Sequence, residues 1–527
     1  MHQGRNLIMG RLTDYTSYAD AQSKFAKEAL WDLFDGTREQ FNIAHECIDR
    51  HVDGDKVAIR VAHSNGRDEI ITFAEIAAHS SRIAHHLTSL GLNKGDRVAV
   101  MIEPSLGFYC AIFGAIKAGF VAVPMFTLFG PDGIKLRVGD CQPEVFFTNA
   151  EKAAEAIEGG AKNVTVVDAD FLASLSHLPD TFECATAGTD LAVLQYTSGT
   201  TRALPAAVHH NHRSIVTLMV AALYATGIRP GDRFFCPSSP AWGHGLWHGT
   251  LAPLAMGVSS GTFSGKFDAE RLLRALSEFK ITNLTAAATH YRMMRNSGVA
   301  EDYTYCFDKL SFTGEPIDSE TAAYVERIFG TKVRSMYGTT EIGVIIANYP
   351  GADDLEVRDG AMGKAVPGVE VEVQRDDGSR CDPEEMGEMM VKKGGKWFPT
   401  KDLGRVDVDG YFYHGGRADD VIISAGWTIG AVEVEDAILS HPAVSECGVI
   451  GAPDSLRGLV VKAYIILKAA ETEGLTQSIQ DHVRAKLARH EYPRQIEFVT
   501  ELPKTPAGKV NRKILRDQQA AKLASAQ

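Results

Sequence analysis

The 527-residue sequence predicts an α/β protein. It has a large amino-terminal domain of two related α/β subdomains plus a small β-rich subdomain, followed by a small α+β carboxyl-terminal domain. Three observations support this fold class: a repeated turn, a change to short alternating strands after residue 369, and a compact strand–helix unit after residue 419. We predict a lead-in over residues 1–40, a first domain over 41–418 and a second over 419–527. A chain of this length exceeds one ordinary core, so several domains are expected.

The repeated turn is GLNKGDR at residues 91–97, which recurs as GIRPGDR at residues 227–233. Each copy is predicted to turn a helix into a strand. A short apolar run follows it, and then a helical stretch (residues 106–118 or 246–255) closed by a glycine. Strand, helix and strand in series imply right-handed crossovers and a buried parallel sheet. The shared flanking pattern favours duplication over coincidence.

Further strands are predicted over residues 281–288, 309–313 and 332–337. The second runs into the turn Gly314-Glu315-Pro316 and the third ends at Tyr337. Ligands of open α/β sheets bind beyond the carboxyl ends of strands, so both turns are expected at a binding site.

The segment after residue 419 is predicted to contain a strand over 421–423, a helix over 431–439, strands over 444–450 and 460–467, and a helix over 475–490.

Composition narrows the class of protein. The net charge of −13 is spread along the chain without a basic stripe, which argues against a nucleic-acid partner. Eight scattered cysteines without a Cys-x-x-Cys pair are typical of reduced thiols in the cytoplasm. No signal sequence and no run of roughly 20 apolar residues is found, so a cytoplasmic protein without a membrane span is expected, as a monomer or homodimer.

The segment YTSGTTRALP at residues 196–205 looks like a phosphate cradle. Its small and hydroxyl residues offer backbone N–H and O–H donors, and Gly199 lacks the Cβ that would block close approach. The alternative is a Ser/Thr-rich surface turn. No Gly-Lys-Ser/Thr follows at the spacing of the common nucleoside-triphosphatase loop.

Several segments together resemble motifs of the adenylate-forming superfamily, and within it the acetyl- and medium-chain acyl-CoA synthetases. The matching segments are TSGTT (197–201), GEP (314–316), YGTTE (337–341), TKD (400–402), GRAD (416–419) and PKTPAGK (503–509). The resemblance extends from Phe41 to Arg516. It implies that ATP activates a carboxylic acid as an acyl-adenylate, and that coenzyme A then displaces AMP to give a thioester, with Mg²⁺ as cofactor.

The resemblance also implies residue roles. The implied nucleotide-binding residues are Thr197, Ser198, Gly199, Thr200, Thr201, Gly314, Glu315, Pro316, Tyr337, Gly338, Thr339, Thr340, Asp402, Arg417 and Lys509. Among them Tyr337 would stack on adenine and Asp402 would take the ribose hydroxyls. The implied catalytic residues are Thr340, Glu341 and Lys509, with Glu341 also supporting Mg²⁺. Lys509 would bridge the substrate carboxylate and the α-phosphate.

The small second domain would rotate between an adenylating and a thioester-forming pose, with Asp419 as the hinge and Gly426 lining the CoA tunnel. The implied acid pocket contains Trp242, His244 and Gly338, although the two aromatic residues could equally pack in the core. In acetate-specific relatives a tryptophan matches Gly338. Glycine here therefore predicts a medium-chain, alicyclic or aromatic acid.

The chain departs from the family pattern at three places. The usual phosphate-loop lysine is missing, and Arg202 and Ala206 are found in that region instead. Lys401 replaces a glycine, and Thr428 replaces a basic residue. Two alternatives to an acyl-CoA synthetase follow: an adenylating enzyme that loads a carrier protein, and a nucleotide-binding pseudoenzyme. Retention of Lys509 together with Glu341 and Asp402 favours an active enzyme.

Overall fold

A computed structural model describes residues 12–196, 207–339, 342–417, 422–424, 427–454, 458–487, 491–505 and 508–525. The helices of these residues are α1 (Tyr18–Lys24), α2 (Ile43–Cys47), α3 (Phe73–Ser89), α4 (Leu106–Lys117), α5 (Pro131–Cys141), α6 (Ala153–Glu158), α7 (Ala169–Ser174), α8 (Ser214–Tyr224), α9 (Ala252–Ala255), α10 (Ala269–Glu278), α11 (Ala288–Ser297), α12 (Ser319–Phe329), α13 (Ala431–Leu439), α14 (Leu475–Lys486) and α15 (Arg512–Ser525). A π-helix spans His244–Leu251, and short 3-10 helices lie at Lys27–Leu33, Asp49–His51, Ala150–Lys152, Leu175–His177 and Ala300–Asp302.

The strands of the same residues are β1 (Val57–His63), β2 (Asp68–Thr72), β3 (Arg97–Met101), β4 (Val121–Pro124), β5 (Val145–Thr148), β6 (Val164–Val166), β7 (Leu191–Tyr196), β8 (Ala207–Asn211), β9 (Phe234–Cys236), β10 (Ser260–Ser264), β11 (Asn283–Ala287), β12 (Lys309–Thr313), β13 (Val333–Thr339), β14 (Gly343–Ala347), β15 (Ala361–Ala365), β16 (Val371–Gln374), β17 (Gly387–Lys393), β18 (Lys396–Val406), β19 (Phe412–Arg417), β20 (Ile422–Ser424), β21 (Trp427–Ile429), β22 (Val444–Asp454), β23 (Gly458–Leu467) and β24 (Gln495–Phe498).

Two sheets, each with a parallel central part as the sequence predicts, form the large domain. In the described residues the first has six strands in the order β6-β5-β3-β4-β7-β8, all parallel except β8. The second has a parallel part in the order β13-β12-β11-β9-β10-β1. Helix α4 is apolar and buried along nearly its whole length, because it packs inside the large core cluster.

The repeated turn has the same geometry in both copies, which confirms that each turns a helix into a strand. The two glycines of the first copy have φ of 84° and 89°, and those of the second 62° and 91°, a conformation that glycine adopts without a steric penalty. The carboxylate of Asp96 accepts a hydrogen bond from the Asn93 N–H at 2.7 Å, and Asp232 accepts one from the Arg229 N–H at 3.0 Å. One copy leads into β3 and the other into β9, so the two copies lead into different sheets.

The segment after the second copy differs from its prediction. Residues 106–118 form the expected helix α4, but residues 246–255 are divided between the π-helix His244–Leu251 and the short α9. Gly245 and Gly249 allow the π-helix to lie against the end of β9. A Cβ on Gly245 would meet the Ser239 carbonyl oxygen at 2.2 Å, and one on Gly249 would meet the Cys236 Sγ at 2.8 Å. π-helical turns are rare and occur often at functional sites.

The β-rich part exists, but it is not separate from the second sheet. Strands β14–β19 pair antiparallel and extend that sheet, which reaches thirteen strands within the described residues. The strand direction reverses between β13 and β14, which pair antiparallel. The amino-terminal lead-in packs against the large domain, since Tyr15 is buried and its hydroxyl donates to the Pro350 carbonyl oxygen at 2.8 Å.

The carboxyl-terminal unit has its own five-stranded sheet in the described residues, with β21-β20-β23-β22 in order and β24 beside β23. Helices α13 and α14 share a core cluster with this sheet. Helix α13 matches its predicted bounds, whereas β22 is longer at its carboxyl end and α14 ends at Lys486. The predicted boundary at residue 419 lies outside the described residues and stays a prediction. No helix of the described residues is long and apolar enough to cross a membrane.

Candidate active site

Two of the predicted site residues lie at the carboxyl edge of the parallel part of the second sheet: Gly314 follows β12 and Tyr337 lies in β13. Ser238, which follows β9, and Thr285, which lies in β11, were not predicted. These strands are neighbours in the sheet, so their carboxyl ends open onto one edge. This is where an open α/β sheet binds its ligands.

Lys509 comes from the last loop of the chain and reaches this edge. Its Nζ lies 5.7 Å from the centroid of the Trp242 ring. A Cβ built on Gly314 would lie 3.2 Å from Cε of Lys509 and 3.3 Å from Cη2 of Trp242. The loop that carries the lysine is closed by a hydrogen bond from the Thr505 N–H to the Lys509 carbonyl oxygen at 2.7 Å. The structure therefore brings together residues that lie far apart in the sequence.

Glu315, in the turn after β12, is committed to a local network. It accepts a hydrogen bond from Thr289 Oγ1 at 2.7 Å and forms an ion pair with Arg292. Burial alone would raise the pKa of this carboxyl, but the nearby Arg292 guanidinium, the Thr289 hydroxyl and the Lys509 ammonium outweigh it and lower the pKa. Glu315 is therefore ionised at neutral pH and fixes the turn. The expected role of this turn, including Pro316, in holding adenine stays a prediction.

Tyr337 and Asp402 meet across the sheet. The Tyr337 hydroxyl donates to Asp402 Oδ2 at 2.6 Å, and His414 Nε2 lies 3.9 Å from Asp402 Oδ1. Asp402 is 5% exposed and pairs in register with Arg417 of β19. The two side chains expected to hold adenine and ribose are thus in contact, although 65 residues separate them in the chain. Lys401 beside Asp402 has φ of 65°, the left-handed conformation that favours the glycine expected there.

Gly338 is held by its backbone surroundings. The pairing of β13 with β14 is irregular between Tyr337 and Gly338. A Cβ on Gly338 would lie 2.0 Å from the Gly343 carbonyl oxygen and 2.7 Å from the Val344 Cα. Gly338 therefore has a role in the backbone pairing of β13 with β14, and its expected place in the acid pocket stays a prediction. No side chain, tryptophan included, fits there unless β14 moves. Thr339 is the last residue of β13 and pairs with Gly343.

His244 is buried and both of its ring nitrogens contact hydroxyl groups, while its expected place in the acid pocket stays a prediction. It is 4% exposed, with Nδ1 3.0 Å from Ser238 Oγ and Nε2 3.0 Å from Thr285 Oγ1. Burial, followed by the nearby imidazoles and the Lys509 ammonium, holds its pKa well below the usual range, so it is neutral. Its ring packs edge-on against Trp242 with centroids 5.2 Å apart. His244 therefore fixes the position of Trp242.

Two further histidines at this edge were missed from the sequence. The His248 ring lies 6.0 Å from the His244 ring, and His290 follows β11, where Nδ1 accepts a hydrogen bond from the Ala287 N–H at 3.2 Å. Burial lowers the pKa of both to about 4. The four-residue spacing from His244 to His248 could have signalled the first, since residues so spaced on a helix share a face.

Part of the predicted site lies outside the described residues. This part comprises Thr197, Ser198, Gly199, Thr200 and Thr201 of the phosphate loop, together with Thr340, Glu341, Asp419 and Gly426. The described part of the chain contains no group of three or more His, Cys, Asp or Glu side chains that could hold a metal ion. The assignment of Mg²⁺ to Glu341 stays a prediction.

Comparison with known proteins identifies the family. The model of the AMP-binding enzyme family matches residues 48–396, and that of the AMP-binding enzyme carboxyl-terminal domain matches residues 433–509. The uncharacterized acyl-CoA ligase YtcI of Bacillus subtilis is 31% identical over 512 residues, which cover 91% of this chain and 96% of that protein. Acetyl-coenzyme A synthetase of the same organism is 30% identical over 532 residues, 90% of each chain.

Among solved structures, the anthranilate CoA ligase AuaEII in complex with anthranoyl-AMP is similar. Its TM-score is 0.85 at 28% identity, with 94% of this chain and 99% of that chain covered. The family model thus matches most of the chain, and the relatives align over nearly all of it. The chain therefore belongs to the AMP-binding, adenylate-forming family of enzymes, in which its relatives are acid–CoA ligases.

Proposed function

We propose that the protein is an ATP-dependent acyl-CoA ligase that activates a medium-chain, alicyclic or aromatic acid rather than acetate. The observation that carries this proposal is the position of Lys509, which reaches from the last loop to Gly314 and Trp242. A cation at this edge suits a reaction in which a carboxylate oxygen attacks the α-phosphorus of ATP and pyrophosphate leaves. The thiolate of CoA would then attack the acyl carbon, with AMP as the leaving group.

The surroundings of Lys509 favour electrostatic catalysis over general acid–base catalysis. A carboxylic acid substrate is already ionised at neutral pH, so no base is needed to deprotonate it. The nearest candidate bases are also occupied, since Glu315 pairs with Arg292 and both nitrogens of His244 contact hydroxyls. Lys509 would lower the barrier by holding the two negatively charged reactants together and by stabilising charge at phosphorus.

Tyr337 and Asp402 suit a nucleoside. In this proposal the Tyr337 ring faces adenine while its hydroxyl holds Asp402 in place. Asp402 would accept hydrogen bonds from ribose hydroxyls, as a buried carboxylate is well placed to do. Mg²⁺, when bound, would neutralise phosphate charge, with Glu341 as its predicted ligand.

Gly338 bears on the size of the acid. The backbone of Gly343 and Val344 leaves no room for a side chain at this position, so a tryptophan cannot close the pocket there. The indole of Trp242 beside Lys509 offers apolar surface to the acyl group. Each additional buried methylene contributes about 0.8 kcal/mol, so the four extra methylenes of hexanoate should favour it over acetate by roughly 3 kcal/mol, or about 200-fold in kcat/KM.

Acid-dependent pyrophosphate exchange with acetate, hexanoate, cyclohexanecarboxylate and benzoate tests the proposal. We expect exchange with the larger acids, followed by thioester formation when CoA is added. A preference for acetate would refute the size argument. Exchange without a CoA thioester would favour the carrier-protein alternative, and no exchange with any acid would favour a pseudoenzyme.

The proposed rotation of the small domain has a separate test. Asp419→Pro fixes φ at the predicted hinge. We expect normal pyrophosphate exchange with little CoA thioester, because the variant would stay in the adenylating pose. Full turnover in the variant would show that the hinge lies elsewhere.

A further inference from the structure

The loop that carries Lys509 is anchored to the small domain at the point where it runs into α15. Arg512, the first residue of α15, forms a bidentate ion pair with Glu435 of α13. Its Nε lies 3.0 Å from Oε1 of Glu435, and its Nη2 lies 2.5 Å from Oε2. A bidentate pair fixes the relative orientation of two side chains as well as attracting them. Because only Val510 and Asn511 separate Lys509 from Arg512, the pair fixes the chain directly after the lysine.

Glu435 is itself held by the sheet of the small domain. It is buried, and its Oε1 also accepts a hydrogen bond from the N–H of Val449 in β22 at 2.8 Å. The carboxylate therefore contacts a backbone donor and a guanidinium at the same time, and it cannot turn without losing one of them. Arg512 is thus tied through Glu435 to the central part of a strand.

The loop also packs directly on β22. A Cβ on Gly448 would meet Val510 Cγ1 at 2.9 Å and Leu515 Cδ1 at 3.1 Å, so glycine is what lets the residue after Lys509 lie against the strand. The base of the loop is therefore fixed on the small domain. The position of the lysine Nζ, 5.7 Å from the centroid of the Trp242 ring, depends on where this base is held.

We infer that Glu435 and Arg512 are positioning residues, whose ion pair holds Lys509 in place for the adenylation step. This inference rests on the proposed function. Neither residue is assigned a contact with substrate, and both act through the lysine. Stabilisation of a developing charge depends steeply on the placement of the stabilising group, so loss of the pair should slow adenylation. Thioester formation from supplied acyl-adenylate, which is not expected to use Lys509, should not need the pair.

The alternative is that the pair only stabilises the small domain, and Glu497 offers the matched comparison. Glu497 of β24 forms ion pairs with Lys462 at 2.8 Å and with Lys522 of α15. It therefore ties the far part of the helix that Arg512 begins, away from the Lys509 loop. A purely structural role predicts that Glu435→Gln and Glu497→Gln have similar effects on both half-reactions.

The two half-reactions of the full-length protein test the inference. Pyrophosphate exchange is measured with hexanoate and benzoate, and thioester formation is measured from supplied acyl-adenylate and CoA. We expect Glu435→Gln to lower kcat for exchange about tenfold or more, with the KM for ATP and the rate of thioester formation within about twofold of wild type. Glu497→Gln should match wild type in both assays. The thermal midpoint of each variant checks that it is folded at the assay temperature.

Variants of Arg512 assign the effect to the ion pair. Arg512→Lys keeps the positive charge but cannot form the bidentate contact, so its exchange rate should lie between those of wild type and Arg512→Ala. The double variant Glu435→Gln/Arg512→Ala should lose no more exchange than Arg512→Ala alone, because both changes remove the same contact. Losses that multiply in the double variant would show that the two residues act separately and would overturn the inference.

The remaining outcomes are also decisive. Exchange by Glu435→Gln at the wild-type rate would overturn the inference while leaving the proposed function intact. An equal loss of both half-reactions, or the same loss of exchange in Glu497→Gln, would overturn it in favour of a purely structural contact. Failure of every acid to support exchange in the wild type would refute the proposed function and the inference with it. If Arg512→Ala does not fold, Arg512→Lys and its double variant with Glu435→Gln give the same comparison.

Discussion

Gly314 offers a sharp test of the contact between the carboxyl-terminal lysine and the sheet edge. This residue has φ of 98°, and a Cβ there would lie 3.2 Å from Cε of Lys509 and 3.3 Å from Cη2 of Trp242. Carbon atoms normally approach to about 3.5–4.0 Å. Gly314→Ala must therefore displace the lysine stem, the indole or the turn by a few tenths of an ångström.

Two effects contribute to the expected magnitude. The left-handed backbone costs an alanine roughly 1–2 kcal/mol in stability. Displacement of the lysine acts on catalysis instead. A misplacement of about 1 Å can cost about 100-fold, so a shift of a few tenths should slow adenylation about tenfold, which corresponds to about 1.4 kcal/mol.

Gly298→Ala is the matched control for Gly314→Ala. Gly298 ends α11 with φ of 71°, and a Cβ there would have no atom within 4 Å, so this variant carries the backbone strain alone. We expect both variants to lose stability, but only Gly314→Ala to lose pyrophosphate exchange. Thioester formation from supplied acyl-adenylate should fall less than exchange. Equal exchange rates in the two variants would refute the assigned contact between Gly314 and Lys509.

Further predictions concern the nucleotide edge and stability. Lys509→Ala should lower pyrophosphate exchange by about 100-fold or more while sparing thioester formation from supplied acyl-adenylate; equal loss of both half-reactions would contradict a role in one pose. Tyr337→Phe removes the donor to buried Asp402 and should raise the KM for ATP about tenfold with an unchanged KM for the acid, and an unchanged KM for ATP would refute the pairing. Lys401→Gly should raise the thermal midpoint, since it relieves a left-handed lysine at a net gain of about 0.5–1 kcal/mol; a lowered midpoint would argue against strain there. Burial lowers the pKa of His248 and His290 to about 4, so below about pH 6.5 the unfolded chain binds protons that the native state does not, and the thermal midpoint should fall progressively from about pH 6.5 to about pH 4. A midpoint that stays constant down to about pH 5 would contradict that burial.

The local sequence pattern was sufficient to predict many of the helices, strands and turns. Strand β12 and helix α13 match their predicted bounds, and both copies of the repeated turn have the positive φ that their glycines suggest. These features depend on neighbours in the sequence: the period of apolar side chains, and the freedom of glycine in turns. The motif around Lys509 could likewise be recognised from consecutive residues, without knowledge of what the lysine contacts.

Tertiary packing decided the contacts that make the site. Lys509 lies beside Gly314 and Trp242, and Tyr337 bonds Asp402, because sheet pairing and domain packing bring together segments remote in sequence. The same packing distinguishes His244 from His248. The sequence around a histidine does not show whether hydroxyl groups will contact its ring nitrogens. The hydroxyl groups that contact His244 are in place only because β9 and β11 lie side by side in the sheet. The strands of the β-rich part show the same limit of sequence-based prediction. Alternation of apolar and polar residues predicts each strand, but it does not predict the sheet edge with which that strand pairs.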